Sequence, residues 1–152
     1  MNAPAILFTR LDAVSSEDRD TILRLEADSF ANPWTAESFE SMRLSPASRI
    51  YVARQGSGQV VAFCACWHIV DELHIHTIAV DANHRRRGIA SGLLRHILQE
   101  TGAVRATLEV RRSNVAAIRL YERLGFKLSA VRERCYENPQ EDGLILWLNP
   151  SD

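Results

Sequence analysis

The stretch Arg85-Arg86-Arg87-Gly88-Ile89-Ala90-Ser91 has the composition and the setting of a phosphate-binding loop. It follows a β-like apolar run, Thr77 to Val80, and precedes a helix-like run, Leu93 to Leu98. The first turn of a helix has backbone N–H groups without helical partners, and the helix dipole favours negative charge there. Gly88 would let the backbone approach a ligand closely. A small phosphate-bearing ligand is therefore expected here. The loop lacks the lysine and the hydroxyl of G-x-x-x-x-G-K-[ST], which disfavours a P-loop nucleotide binder.

Glu109 is a carboxylate inside a β-strand pattern, between Leu108 and Val110. A buried carboxylate without a partner is costly or takes up a proton. One interpretation is a general base with a raised pKa, which takes a proton from an ammonium substrate directly or through a water. The other is an ion pair with Arg111 or Arg134 on a neighbouring strand.

Two residues of the next helical segment have ordinary structural interpretations. Asn114 directly precedes the helix and can cap it through its side-chain oxygen. Tyr121 lies within the helix, where an aromatic residue packs in the core and keeps its hydroxyl at the rim.

Glu72, His74 and His76 alternate along a strand and therefore share one face. Zinc binding is possible, but His-x-His with one carboxylate is a loose pattern, and no metal site is expected. A supplementary base or water relay is a second possibility. The favoured interpretation is a strand face that lines a groove, with Glu72 in contact with the substrate. His84 and His96 are expected at the surface.

The three cysteines have no His or Asp partner at a recognisable spacing, which argues against a thiol nucleophile. Cys64 and Cys66 alternate in an apolar run, and Cys135 is distant in sequence. An odd, scattered set of this kind indicates a reduced cytoplasmic protein.

The bulk composition indicates one soluble globular domain over residues 1–152. Hydrophobic residues make up 46% and charged residues 24%, and the formal net charge is −1. There is no general electrostatic case for nucleic-acid or membrane binding. No apolar run is long enough to span a bilayer, and Met1 to Thr9 does not have the pattern of a signal peptide.

The elements that must position these residues follow the order β-αα-βββ-α-β-α-ββ, which predicts an α/β fold with a mixed sheet. Asn32-Pro33 is expected to break the chain between the first two helices. The predicted strands are Ile6–Phe8, Arg49–Arg54, Gln59–Ile69, Glu72–Val80, Arg105–Arg111, Lys127–Tyr136 and Leu144–Leu148, and the predicted helices are Ser15 or Ser16 to about Phe30, Thr35–Met42, Gly88–Thr101 and Asn114–Leu124.

Two separated motifs resemble one known superfamily. The spacing R-x-x-G-x-A at Arg85–Ala90 matches the pyrophosphate loop of GNAT N-acetyltransferases, which use acetyl-CoA. The segments Leu108–Asn114 and Leu120–Phe126 read L-E-V-R-x-S-N and L-Y-E-x-L-G-F, which resembles the RimI-type branch, the bacterial protein N-terminal acetyltransferases. The resemblance runs from about Asp71 to Leu148 and extends to a Pro-Trp pair at Trp34. It implies the GNAT fold, a mixed central sheet flanked by about four helices.

The resemblance also implies roles for individual residues. Glu109 corresponds to the catalytic glutamate, and Tyr121 would be the general acid that reprotonates the CoA thiolate if the site lowers its phenol pKa slightly. The loop Arg86–Ser91 would bind the pyrophosphate through backbone N–H groups, with added charge from Arg85. The pantetheine contacts implied are the backbones of Ile78, Ala79 and Val80 and the side chain of Asn114.

The substrate implied by the resemblance is a protein N-terminus, with a ribosomal small-subunit protein as the expected target. An α-amine is easier to deprotonate than a lysine at neutral pH. Two positions depart from the usual pattern: Cys135 replaces a tyrosine, which alters one wall of the substrate groove, and Arg85 replaces a glutamine. A small-amine acetyltransferase and a non-catalytic acetyl-CoA-binding module remain alternatives. Candidate substrate contacts are Trp34, Glu72, His74 and Tyr136, with Asp71, Glu137, Glu141 and Asp142 as acidic residues that could attract a basic peptide.

Overall fold

The computed structural model describes residues 5–29, 34–137 and 140–149. Within these ranges the chain is α/β, and its elements follow the predicted order. The strands are β1 Leu7–Arg10, β2 Ser48–Arg54, β3 Val60–Ile69, β4 Glu72–Val80, β5 Arg105–Arg111, β6 Lys127–Tyr136 and β7 Glu141–Leu148, and the helices are α1 Ser16–Ser29, α2 Ala36–Arg43, α3 Ile89–Thr101 and α4 Val115–Arg123.

Most predicted boundaries agree with the structure to within about two residues, because caps and glycines mark them. Thr35 caps α2 through its hydroxyl, and Gly102 ends α3 with a positive φ of 71°. The last strand was predicted too short: β7 begins at Glu141 because Glu141 pairs with Tyr136 and Gly143 pairs with Arg111. A short 3₁₀ turn at Ala82–His84 was not predicted. Phe30 and Asn32-Pro33, expected to end the first helix, lie outside the described residues.

The strands form one mixed sheet in the order β1-β2-β3-β4-β5-β7-β6. Residues along each strand alternate between two apolar clusters, as the two-residue period of a strand requires. In β2, Tyr51 and Ala53 join the cluster under α3 and α4, whereas Ile50 and Val52 join the one under α1 and α2. Helices therefore cover both faces of the sheet.

The sheet opens at its centre, between the parallel strands β4 and β5. Their register pairs Glu72–His74 with Arg105–Thr107, and among the described residues the ladder goes no further, although both strands continue. Directly beyond the ladder, β4 has a bulge: Ile75 pairs with Cys66 and Thr77 with Ala65, so that His76 is the extra residue. The opening leaves one backbone edge of β4 and one of β5 facing each other across a gap.

Candidate active site

A groove of about 740 Å³ occupies the gap between β4 and β5. Both predicted catalytic residues, Glu109 and Tyr121, line it, together with Asn114. The wall also includes Trp34, His74 and Tyr136. The structure thus brings together residues that lie far apart in the sequence.

Glu109 is neither fully buried nor without a partner, so it forms an ion pair, as one of the two interpretations predicted, but with another arginine. Its side chain is 27% exposed, and its Oε2 accepts a hydrogen bond from Arg132 at 2.8 Å. Arg132 is therefore the ion-pair partner, rather than Arg111 or Arg134. It lies on β6, which is separated from β5 by β7. The thiol of Cys135 donates to Oε1 at 3.2 Å. The carboxylate is held at both oxygens at the edge of the groove.

Gly143 on β7 makes room for this arrangement. A Cβ atom at this position would lie 2.6 Å from Glu109 Oε1 and 2.6 Å from Cys135 Sγ. Such separations are below van der Waals contact, so a side chain here would displace the carboxylate. The glycine was not singled out by sequence analysis, because its importance depends on the register between β5, β6 and β7.

Tyr121 is 4% exposed, and its ring packs against Phe126. The backbone of Ile78 hydrogen-bonds to the phenol, which therefore reaches from α4 across to β4. Burial is the largest effect on this group and raises its pKa above the usual value for tyrosine. The condition attached to the acid role of Tyr121, a slightly lowered phenol pKa, is not met. The phenol stays protonated throughout the physiological pH range.

The turn that leads into α4 is locked by Glu141. Its carboxylate accepts from the backbone N–H of Ser113 at 2.8 Å and from the Ser113 hydroxyl at 2.9 Å. These bonds hold the pKa of Glu141 below its usual range. The Asn114 side chain accepts from the Ala117 backbone N–H, so the predicted helix cap is confirmed.

The acidic residues proposed to attract a basic peptide are largely engaged within the protein. Glu72 is bonded to Arg105 at 2.7 Å and to His74 at 3.1 Å, and it is not among the described residues that line the groove. Asp71 also pairs with Arg105, and Asp142 pairs with Arg112. The structure therefore provides no sign of Glu72 at the substrate position, because its own strand neighbours neutralise it.

Aromatic rings form the wall of the groove next to the bulge. The His76 ring stacks on Trp34 with centroids 4.5 Å apart and meets the edge of Trp67 at 5.3 Å. These surroundings lower the pKa of His76 by removing water from the ring. On the other side, the Arg111 guanidinium lies over the Tyr136 ring at 4.4 Å, and burial raises the pKa of Tyr136 to about 12.

The metal alternative gains no support from the geometry of Glu72, His74 and His76. In the described part of the chain, no group of three or more His, Cys, Asp or Glu side chains is arranged to hold a metal ion. His76 is the bulge residue and stacks on Trp34, whereas His74 points to Glu72.

The predicted phosphate loop joins the end of β4 to the start of α3. Gly88 precedes the helix with a φ of 74°, and Arg86 also adopts a left-handed φ of 62°. A Cβ at Gly88 would meet no atom of the described residues within 4 Å, so glycine is favoured there by its backbone conformation alone. Successive left-handed turns before a helix point backbone N–H groups towards one concavity, which suits an anion. Ile89 and Ala90 are buried beneath it.

Side chains next to the loop hold it in place. Arg85 folds back and donates through Nε to the Val80 carbonyl at 3.1 Å. His84, expected at the surface, is half-buried, with Nδ1 2.8 Å from Asp81 Oδ2 and Nε2 3.2 Å from Gln55 Oε1. His96 likewise contacts the rings of Phe8 and Tyr51. Both histidines therefore make contacts within the protein that help to hold the neighbouring side chains in place.

One carboxylate of the groove was missed by sequence analysis. Glu26 on α1 is 5% exposed and lines the same groove as Glu109. Its signal was present in the sequence, because Glu26 lies four residues after Ile22, on the apolar face of the helix. A carboxylate at such a position is unusual and points to a buried polar site.

Comparison with known proteins places this chain and its fold among acetyltransferases. The model of the Acetyltransferase (GNAT) family matches residues 19–126, and the chain belongs to this family. It is 31% identical over 143 residues to the [ribosomal protein bS18]-alanine N-acetyltransferase of Escherichia coli, covering 91% of this chain and 95% of the relative. It is 32% identical over 148 residues to the N-alpha-acetyltransferase RimI of Mycobacterium tuberculosis, covering 93% of each.

A solved structure agrees with these sequence relationships. The crystal structure of the ribosomal-protein-S18-alanine N-acetyltransferase from Escherichia coli superposes with a TM-score of 0.77 at 30% identity, covering 95% of this chain and 93% of that one. The predicted GNAT fold and the RimI-like resemblance are confirmed, and the protein is an N-acetyltransferase. No helix in the described part of the chain is long and apolar enough to cross a membrane.

Proposed function

We propose that this protein transfers the acetyl group of acetyl-CoA to the N-terminal α-amine of a protein, with a ribosomal small-subunit protein as the expected substrate. The chain would act as one acetyltransferase domain in the cytoplasm, where ribosomal proteins are made. The observation that carries the proposal is the convergence of Glu109 and Tyr121, from β5 and α4, on one groove at the opening of the sheet.

The donor set around the opening fits acetyl-CoA. The loop at residues 85–91 offers backbone N–H groups at a helix N-terminus, which suits a pyrophosphate. Ile78, Ala79 and Val80 pair on one edge with β3 and present their other edge to the gap, where a pantetheine arm can align as an added strand. Asn114 would contact the same arm with the rest of its amide. When bound, acetyl-CoA supplies the thioester that is the source of the acetyl group.

The side chains of the groove can move the protons that the transfer requires. Glu109 accepts a proton from the substrate amine, directly or through water, and its two hydrogen bonds keep the carboxylate aimed into the groove. A backbone N–H of the strand that ends at Val80 polarises the carbonyl oxygen. Tyr121 donates its proton to the departing thiolate. Burial raises its pKa, but the same dry surroundings also make a thiolate more basic, so the donation remains feasible.

The residues around the base and the chemistry of the amine support a peptide N-terminus as the substrate. Trp34, His74 and Tyr136 line it around the base and are the proposed contacts of the first residues. An α-amine has a pKa of about 8, whereas a lysine amine has one of about 10.4, so the free base is far more accessible for the α-amine at neutral pH. The two relatives reported above bear names that describe the same type of reaction.

The test is mass spectrometry of peptides that each contain one internal lysine and begin with alanine, serine or methionine. Purified protein and acetyl-CoA should place one acetyl group on the α-amine and leave the lysine unmodified. Glu109→Gln should slow this reaction by about 10² to 10⁴-fold, as expected for loss of a general base. Glu122→Gln is the matched control, because Glu122 is an exposed glutamate of α4.

Modification of the lysine alone, or turnover of small amines such as polyamines without any peptide acetylation, would overturn the assignment of the substrate. Binding of acetyl-CoA without turnover of any amine would identify a non-catalytic module instead.

A further inference from the structure

The groove contains a second carboxylate that the proposed mechanism does not use. Glu26 lies on the face of α1 that packs against the sheet, beside the buried Ile22 and Leu25. It is 5% exposed, yet it lines the groove together with Ser29. A carboxylate is rarely buried in this way without a compensating role.

The partners of Glu26 in the described part of the chain are neutral. Its Oε2 accepts from the Thr77 hydroxyl at 3.3 Å, and the backbone of Trp34 provides a second hydrogen bond. Glu109, by contrast, is bonded to the cationic Arg132. The negative charge of Glu109 is therefore compensated by an opposite charge, whereas that of Glu26 is stabilised only by hydrogen bonds from neutral groups.

We propose that Glu26 is a second catalytic carboxylate of this groove, which accepts the first proton released by the substrate ammonium. This inference rests on the proposed function. Glu26 would convert the bound ammonium to the free amine, and Glu109 would accept the second proton as the new bond forms.

The proton balance of the reaction requires two such steps. The substrate nitrogen enters with three N–H bonds and leaves as an amide with one, so it loses two protons. The C–N bond forms while the C–S bond breaks, and the electron pair of the C–S bond goes to sulfur, which takes the phenol proton of Tyr121. One of the two protons from nitrogen restores the phenol, and the other is released to solvent. Two acceptors that line the same groove from different elements, Glu26 from α1 and Glu109 from β5, meet this requirement.

The position of Glu26 also lets its charge affect Tyr121, the proposed general acid. Thr77, which holds its carboxylate, directly precedes Ile78, whose backbone contacts the Tyr121 phenol. The negative charge of Glu26 contributes to the raised pKa of Tyr121. When Glu26 takes up a proton, this contribution vanishes, and Tyr121 becomes a better donor at the point where the thiolate leaves.

The pKa of Glu26 suits the transfer of a proton from an α-ammonium group. Burial raises its pKa to about 7, from an ordinary value of 4.5. This is close to the value of about 8 for an α-ammonium, so the proton can transfer with little free-energy change. The other titratable or charged groups around the groove are His74 and His76 of β4, Glu109 and Arg111 of β5, Tyr121 of α4 and Tyr136 of β6, with Cys64 of β3 acting on Tyr121.

The experiment measures kcat/KM for a peptide as a function of pH in the wild type and in Glu26→Gln. Glutamine keeps an acceptor for the Thr77 hydroxyl and removes the ionisable group. We expect kcat/KM at pH 7 to fall by about 10²-fold. The wild type should have an acidic limb near pH 7, and this limb should be lost in the variant. KM for acetyl-CoA should stay unchanged. Glu26→Asp should retain a limb, and Glu17→Gln, an exposed glutamate on the same helix, should behave as wild type.

Two further variants identify the group that causes the limb. Thr77→Val removes the donor that favours the charged form, so the limb should move to higher pH. His76→Phe keeps a ring against Trp34 and removes the imidazole, so the limb should remain. The titration of the peptide amine is common to all variants and cancels in the comparison.

The outcomes separate this inference from the proposed function. If the wild type acetylates peptides and Glu109→Gln is inactive, but Glu26→Gln keeps the wild-type rate and pH profile, only the role of Glu26 is overturned. If the wild type acetylates no peptide N-terminus, the proposed function is overturned, and the inference that rests on it is overturned as well.

Discussion

The two walls of the groove hold the same type of residue in opposite surroundings. On the β5 side, the Glu109 side chain is 27% exposed and paired with a guanidinium. On the α1 side, Glu26 is 5% exposed and accepts from neutral donors. The reason lies in the layers of the fold: α1 covers β3 and β4, whereas β6, which supplies Arg132, is an edge strand that is exposed along most of its length.

This difference shows how one groove can contain two carboxylates without strong mutual repulsion. The negative charge of the exposed carboxylate is compensated by a partner of opposite charge. The buried carboxylate is protonated over part of the pH range. Environments that differ in this way are a common means of assigning different proton-transfer roles to identical side chains.

Tyr121→Phe removes the proposed general acid of the groove and should have the largest effect. The phenol is anchored at β4 by the Ile78 backbone, and Tyr121 lines the groove together with both carboxylates. We expect kcat to fall by about 10² to 10⁴-fold, because a general acid is lost, with KM for acetyl-CoA within a few-fold of wild type. Steady-state kinetics checks this. Tyr51→Phe is the control, since Tyr51 is equally buried and its hydroxyl is bonded to Glu100, outside the groove.

A kcat for Tyr121→Phe within about three-fold of the wild type would remove the phenol from the proton-transfer path. The assignment of the acid would then pass from this side chain to water.

Glu26→Gln should raise the free energy of unfolding at pH 8 and have much less effect at pH 5. The folded-state pKa of about 7 lies above the ordinary 4.5, so the folded protein binds more protons than the unfolded chain between these values. Its stability therefore falls as pH rises from about 4.5 to about 7 and stays lower above that. Glutamine abolishes this loss, which is on the order of 2 to 3 kcal/mol.

Urea unfolding at the two pH values measures the effect, with an unchanged slope as the sign that only stability has changed. An equal change in stability at pH 5 and pH 8 would mean that the carboxylate does not titrate in the folded protein between these values.

Arg132→Met should have the smallest effect on stability. It tests the ion pair of Glu109, the carboxylate that is compared with Glu26. Arg132 is 60% exposed, so the ion pair with Glu109 should contribute less than about 1 kcal/mol. Activity should fall by about ten-fold or less, since Cys135 still holds one oxygen of Glu109. Urea unfolding and peptide acetylation check the two expectations, and a loss of more than about 3 kcal/mol would show that the pair behaves as a buried one.

Much of this protein could be read from local patterns in its sequence. The two-residue and 3.6-residue periods, the caps at Thr35 and Asn114 and the glycine at Gly102 gave the order and most limits of the elements. The strand-loop-helix pattern at Gly88 and the motif around Glu109 pointed to the correct superfamily. These signals are local, because helix termini and turns are decided by residues close in sequence.

The tertiary structure decided the partners of the site residues. Arg132 instead of Arg111 or Arg134 faces Glu109, because that pairing depends on the register of β6 and β7, which contains shifts that no local pattern predicts. Burial of Tyr121 and Glu26 depends on the helices that cover the sheet and sets the direction of their pKa shifts. Sequence determined which groups are present, and packing determined how much water and which charges surround each of them, which is what controls their chemistry.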